Sequence, residues 1–196
     1  MEKKKYKSFS AARESNPAFD LNQIGKIAFN RAKATEKYQR LEVINALLMC
    51  ALTMEAVVNN LGKCLFEDWE EKERLLNINQ KVKMIAKRSG LDVDLGSLPF
   101  QYLSDIFRFR DSLVHAKSSK HFSPEVTQSE IDENGFPIID KVAELMTDWE
   151  KHCNIETAEK WRNAVYSMSS TLSEATKCQD PVKISGAIDT WGVIET

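Results

Sequence analysis

The residues best suited to chemistry lie in one short stretch, Arg110-Asp111-Ser112-Leu113-Val114-His115. Arginine carries a permanent charge in a planar fork that pairs with phosphate or carboxylate, and histidine takes up and releases a proton near neutral pH. Arg110 also falls on the apolar stripe of its predicted helix, whose other members are Leu103, Ile106, Phe107 and Val114. Because burying an unpaired guanidinium costs several kcal/mol, Arg110 needs a partner, an interface or a ligand.

Glu55 is the candidate partner for Arg110. It lies on the predicted apolar stripe of an earlier helix, and Asn59 follows it by about one turn. A carboxylate and a guanidinium on two helices can form a charge-assisted pair across a bundle. We therefore predict a buried Glu55–Arg110 pair with Asn59 as a further structural polar partner. The alternative is an Arg110 side chain that snorkels from the edge of its stripe into solvent.

The arginine, the polar residue after it and the histidine five positions later resemble the R-x4-6-H motif of HEPN domains. The segment 54–61 resembles the earlier helix that the family pairs with this motif, and the resemblance covers residues 36–120. It implies a helical bundle that forms a homodimer and acts as a metal-independent endoribonuclease without a cofactor. Carried over to this chain, Arg110 and His115 are catalytic and Asp111 orients the site, where asparagine is the commoner residue in the family.

The chemistry that the resemblance implies suits these side chains. Attack by an adjacent 2′-hydroxyl needs a proton acceptor and a proton donor, which two histidines from two protomers can supply, while a guanidinium stabilises the charged phosphate. Positions five apart on an ideal helix point about 140° away from each other, whereas Arg108 lies within about 20° of His115. We therefore expect a composite site with Arg108 as a second phosphate cation. The following loop supplies three further predicted RNA contacts, Lys117, Lys120 and His121.

The resemblance also implies a biological setting, either toxin and defence or RNA processing, with an antitoxin or another protein as a partner. An alternative is a non-catalytic HEPN-like module in which Arg110 and Glu55 are structural and the groove binds a nucleotide or a protein. A third interpretation is an ordinary helical scaffold with a chance motif. We interpret the four tryptophans as core or interface anchors and His152 as a helix-end residue without a role.

Helices must position these residues. The chain has 196 residues with only 7 glycines and 5 prolines, which favours helices over sandwiches or barrels. The patterns predict an all-α, up-and-down helical bundle with helices over about 36–65, from Asn77 to Gly90 and from Pro99 onwards. A C-terminal helical extension follows over about 138–150 and 156–177, and the last eighteen residues are predicted to be irregular. A turn signal at 133–136 is compatible with a small hairpin near residues 122–138.

The predicted organisation is a weakly structured N-terminal segment or short helix over 1–33, followed by one domain over 34–196 whose C-terminal helices and tail begin at 138.

The chain carries 27 Lys+Arg against 29 Asp+Glu, which excludes a histone-like binder. Its four cysteines form no CxxC pair, so we expect no zinc site; Cys50 and Cys64 are interpreted as small buried hydrophobes. Free thiols, the lack of a signal peptide and the lack of a long apolar run predict a cytoplasmic protein outside the membrane.

Overall fold

The computed structural model describes residues 8–115, 132–134, 146–183 and 187–194, with side chains over 16–115, 132–134 and 146–183. Over these ranges the chain forms six α-helices: α1 Pro17–Ala34, α2 Gln39–Leu65, α3 Trp69–Leu75, α4 Ile78–Ser89, α5 Leu103–Val114 and α6 Ile155–Thr176. Two strands lie near the termini, β1 Ser8–Ser15 and β2 Ala187–Ile194. Helix dominates, which confirms the predicted all-α helical bundle.

The N-terminal segment contains more structure than predicted. The 18-residue helix α1 starts at Pro17, whose fixed φ suits a first helical position, and the Asn16 side chain accepts a hydrogen bond from the Ala18 N–H. The buried side chains of α1 are mostly small: Ala18, Ala28, Ala32 and Phe29. Small residues give a weak hydrophobic pattern, so the prediction of a weakly structured segment or a short helix missed α1.

The long helix predicted over about 36–65 is confirmed by α2. The buried apolar side chains recur at helical spacing: Val43, Ala46, Leu47, Cys50, Ala51, Met54, Val57, Val58 and Leu61. Glu55 is half-buried beside this face. Among the described helices, α2 alone is long and apolar enough to cross a membrane, and half of its apolar window is buried. The core helix of a bundle has the same length and composition.

Local signals correctly predicted the ends of α4. The Asn77 side chain accepts a hydrogen bond from the Gln80 N–H at 3.0 Å, and the Gln80 side chain accepts one from the Asn77 N–H at 3.0 Å. This reciprocal capping box satisfies N–H groups that have no partner within the helix. Gly90 ends the helix with φ 74°, a left-handed conformation that glycine adopts without strain.

Two long-range features differ from the predictions. The C-terminal segment is not wholly irregular, because β2 pairs antiparallel with β1 from Ser8 opposite Ile194 to Ser15 opposite Ala187. A disulfide joins Cys64 to Cys178, so the prediction of free thiols is wrong for these two residues. In both cases the partners lie far apart along the chain, and a pattern within one segment cannot reveal the pairing.

The residues fall into two compact units. The first unit comprises Met1–Gln23, Leu52–Val93 and Tyr166–Thr196, and the second unit comprises Ile24–Ala51 and Asp94–Val165. A 3-10 helix at Phe100–Tyr102 leads into α5, and Glu150–His152 form a 3-10 helix where an α-helix over 138–150 was predicted to end. The rest of that helix and most of the 122–138 hairpin lie outside the described residues; within 132–134 the chain makes a turn.

Candidate nucleic-acid interface on the second unit

The buried face of α5 agrees with the predicted stripe at Leu103, Ile106 and Phe107 and differs from it at Phe109 and Val114. Its buried side chains are Leu103, Ile106, Phe107 and Phe109. Val114, which was predicted to lie on the apolar stripe, is 66% exposed, and that prediction is wrong. Phe109, outside the predicted stripe, is buried because its ring packs against rings from other elements.

Arg110 has a partner one residue along the chain. Its Nε donates a hydrogen bond to Asp111 Oδ1 at 2.9 Å, and Nη2 lies 2.8 Å from the same oxygen. The guanidinium also stacks over the Phe107 ring, 4.8 Å from the centroid. Its side chain is 25% exposed, so Arg110 is a half-buried cation rather than an unpaired buried one. Arg110 and Asp111 of the motif are therefore held together.

His115 and Arg108 remain exposed. α5 ends at Val114, and the His115 N–H donates a hydrogen bond to the Asp111 carbonyl at 3.0 Å, which places the imidazole at the helix end. Arg108 is 73% exposed and lies 3.5 Å from Asp105 in a surface ion pair. Arg108 precedes His115 by seven residues, and α5 ends between them at Val114.

A short segment after residue 146 is held in place by Glu150. Its carboxylate accepts hydrogen bonds from the Thr147 N–H at 2.9 Å, from Thr147 Oγ1 at 2.8 Å and from Arg40 Nη2 at 2.6 Å. These bonds favour the ionised carboxylate, above all the backbone N–H and then Arg40, and they lower the pKa of Glu150 to about 2. Glu150 thus ties this segment to α2 within the second unit.

Four rings connect this segment to α5 and α6. The Phe109 ring meets the rings of Trp149, His152 and Trp161 edge-on, at centroid distances of 6.4, 6.4 and 5.6 Å. The His152 ring lies 5.0 Å from Trp161. Edge-to-face arrangements of this kind fix ring orientation as well as burying area. His152, which the sequence analysis gave no role, is one of the packed rings.

A cavity of about 350 Å³ opens between α5 and this segment. One wall is the side of α5 that carries Asp105, Arg108, Phe109 and Ser112. The other wall consists of Asp148, Trp149, Lys151 and His152. The cavity therefore combines ring surfaces, two cations, two carboxylates and a hydroxyl, all from residues of the second unit.

The other polar residues predicted for the site lie in the first unit. Asn59 Nδ2 donates a hydrogen bond to Glu73 Oε1 at 2.8 Å, and Asn59 Oδ1 accepts one from Lys81 Nζ at 3.2 Å. Glu55 also belongs to this unit, whereas Arg110 belongs to the second. The Glu55–Arg110 pair stays a prediction.

Three of the predicted RNA contacts, Lys117, Lys120 and His121, lie outside the described residues. Within the residues whose side chains are placed, no three His, Cys, Asp or Glu side chains form a cluster that could hold a metal ion. The chain matches no protein-family model, and no curated protein or solved structure shows a significant match. The resemblance to HEPN domains thus rests on the motif residues and their helical setting.

The wall formed by Trp149, Lys151 and His152 was not predicted from the sequence. The local signal for this wall is the mixture of rings and charged side chains over 148–152, Asp-Trp-Glu-Lys-His. That signal does not show that the rings face α5, because the packing depends on Phe109 and Trp161 from other elements.

Proposed function

We propose that this chain is a HEPN-type endoribonuclease that acts as a homodimer and cleaves RNA without a metal ion. The observation that carries the proposal is the placement of the motif: α5 ends directly before an exposed His115 and holds Arg110 and Asp111 together in its last turns. Phosphodiester cleavage through the 2′-hydroxyl requires an imidazole that transfers protons and a cation that stabilises the phosphate, and His115 and Arg110 are side chains of these types.

The proposed reaction needs two proton transfers. One imidazole removes the proton of the ribose 2′-hydroxyl, whose oxygen attacks the adjacent phosphorus. The 5′-oxygen leaves with its bonding electron pair and takes a proton from a second imidazole, His115 of the partner subunit. Arg110, oriented by Asp111, stabilises the charge on the phosphate oxygens. The need for a 2′-hydroxyl selects RNA over DNA.

The setting of this activity comes from the resemblance. We place the protein in a toxin and defence system or in RNA processing, with an antitoxin or a similar protein as partner and with a cytoplasmic location. The thiol argument for that location no longer applies, since disulfides such as Cys64–Cys178 are rare in reducing compartments.

The decisive experiment incubates the full chain with mixed single-stranded RNA and DNA in EDTA. We expect RNA cleavage that falls about 10²-fold or more in His115→Ala, because general acid–base catalysis contributes at that scale. Val114→Ala is the matched control, since Val114 is the exposed neighbour at the same helix end. Equal cleavage by wild type and His115→Ala, or none by either, would contradict the proposal.

The second candidate function is a non-catalytic HEPN-like module. The observation that favours it is the enclosure of Arg110, whose pairing with Asp111 and stacking on Phe107 already give it a structural role. On this alternative, neither wild type nor His115→Ala cleaves RNA, while a nucleotide or protein still binds. RNA cleavage by wild type therefore separates the two candidates, and a nucleotide-binding assay tests the module where no cleavage is seen.

A further inference from the structure

We infer that the cavity between α5 and the 148–152 segment is a subsite for one unstacked base of single-stranded RNA, with the attached phosphate at Arg108 and Lys151. The choice of RNA rests on the proposed function; the subsite itself rests on the walls of the cavity. Its volume of about 350 Å³ falls within the range of small-molecule pockets and suits one nucleotide unit rather than a duplex.

The rings supply the surface for the base. Trp149 and His152 line the cavity, both are half-buried, and both lean edge-on against the buried Phe109. Arg40 lies over the Trp149 ring at 5.7 Å from its centroid, which holds the indole in place within the second unit. A ring that is fixed before binding loses little freedom when a base stacks on it.

The charges supply the contacts for the phosphate and for the edge of the base. Arg108 and Lys151 are both exposed, and their partners are the exposed carboxylates Asp105 at 3.5 Å and Asp148 at 3.0 Å. Exposed pairs of this kind are weak, so either cation can turn towards a phosphate at small cost. The two carboxylates repel a free phosphate but accept hydrogen bonds from the amino group of a base. The wall therefore favours a nucleotide over an inorganic anion.

The position of the cavity connects it to the proposed active site. Ser112 lines the cavity and lies in the last turn of α5, which ends one residue before His115. A strand whose base occupies the cavity can then continue past the last turn of α5 towards His115. In the proposed nuclease, the subsite holds one base of the bound RNA strand.

Tryptophan fluorescence tests the subsite directly. The full chain carrying His115→Ala is titrated with adenosine 5′-monophosphate, with adenosine and with inorganic phosphate as separate arms. We expect saturable quenching by the nucleotide, weaker binding of the nucleoside and no response to phosphate. Trp149→Phe should abolish the quenching component, because Trp149 is the tryptophan that lines the cavity.

A lysine pair keeps the test valid if Trp149→Phe fails to fold. Lys151 and Lys160 are similarly exposed, and each pairs with one carboxylate on its own segment. Lys151→Ala should weaken nucleotide binding about threefold to tenfold, whereas Lys160→Ala should leave it unchanged. Equal binding by both lysine variants, equal responses to nucleotide and phosphate, or no quenching in any arm would overturn the subsite.

The failure of the subsite and the failure of the proposed nuclease are distinguishable. Nucleotide quenching that depends on Lys151 supports the subsite even if wild type cleaves no RNA. Cleavage that depends on His115 but is the same in Lys151→Ala and Lys160→Ala, with no nucleotide quenching, overturns the subsite and leaves the nuclease standing.

Discussion

Two lysines show how differently the two units treat a cation. In the first unit Lys81 is only 5% exposed, and its ammonium donates a hydrogen bond to Asn59. In the second unit Lys151 is 57% exposed and pairs with the exposed Asp148 at 3.0 Å. The residue type is the same, but burial gives Lys81 a fixed structural contact and leaves Lys151 accessible to a ligand.

The polar neighbours carry the same difference. The amide nitrogen of Asn59 donates a hydrogen bond to Glu73, and its amide oxygen accepts one from Lys81. Removing Asn59 would leave a buried ammonium without this partner. The cations of the cavity wall pair with carboxylates that are themselves exposed, and pairs of that kind contribute about 0–1 kcal/mol to stability. We therefore expect substitutions at Asn59 or Lys81 to lower the free energy of unfolding. Substitutions at Arg108 or Lys151 should instead weaken ligand binding.

The largest expected effect lies in the first unit, at the disulfide between Cys64 and Cys178. Replacing both with serine should lower the free energy of unfolding by about 2–5 kcal/mol, because the unfolded chain regains the freedom of a long loop. Urea unfolding under non-reducing conditions measures the change. Cys153→Ser, which removes a free thiol, is the control. A wild-type midpoint unaffected by a reductant would show that the disulfide contributes nothing.

The next effect tests the buried polar cluster itself. Asn59→Ala should lower the free energy of unfolding by about 1–3 kcal/mol, because the Lys81 ammonium loses an acceptor in a buried place. Asn60→Ala is the matched control on the same helix, since Asn60 makes no side-chain hydrogen bond to the described residues. Equal unfolding midpoints for the two variants would contradict a structural role for the hydrogen bond between Asn59 and Lys81.

How far the sequence predicts this molecule depends on the range of each interaction. The ends of α4 were predicted correctly because the Asn77 box and the Gly90 cap act within a few residues. The general helical bundle follows from the scarcity of glycine and proline and from helical periodicity. Interactions between distant segments were missed: the β1–β2 ribbon, the Cys64–Cys178 disulfide and the packing of His152 on Phe109.

The candidate site shows the same limit. Arg108 is exposed, and α5 ends at Val114, one residue before His115. On α5, Leu103, Ile106 and Phe107 are buried as predicted, whereas Val114 is exposed. Phe109, outside the predicted stripe, is buried because its ring packs against Trp149 and Trp161. The roles of Arg110, Asp111 and His115 in RNA cleavage stay predictions.

A smaller effect is expected where the second unit fixes its cavity wall. Glu150 has a pKa of about 2 in the folded chain, below its ordinary value of 4.5, so the stability it contributes is present above about pH 4.5 and is lost as the pH falls through about 2. Glu150→Gln should therefore unfold earlier than wild type at pH 6–7, and the two should converge near pH 2. Thermal unfolding across this range measures the difference.

The control for this experiment is Glu159→Gln, because Glu159 is an exposed carboxylate on α6. A constant difference between wild type and Glu150→Gln from pH 7 to pH 2 would contradict a role for the ionised carboxylate. Since Glu150 also holds the wall that contains Trp149 and His152, the same variant should bind the nucleotide more weakly at neutral pH.

The smallest expected effect on stability separates two arginines of one helix. Arg108→Gln should change the free energy of unfolding by less than about 0.5 kcal/mol, because its only described ion pair is exposed and 3.5 Å long. Arg110→Gln should cost about 1 kcal/mol, since the side chain leaves both Asp111 and the Phe107 ring. Urea unfolding of the two variants gives the comparison.

In RNA binding, by contrast, we expect a clear effect of Arg108→Gln. In a His115→Ala background, its affinity for single-stranded RNA should fall, and the slope of log Kd against log salt should decrease by about 0.7, the value for one lost phosphate contact. Arg31→Gln is the control, because Arg31 is about as exposed and lies 3.8 Å from one carboxylate, Glu42. An unchanged slope in Arg108→Gln would show that Arg108 does not contact a phosphate of the bound RNA. A loss of stability as large as that of Arg110→Gln would show that Arg108, like Lys81, has a structural role.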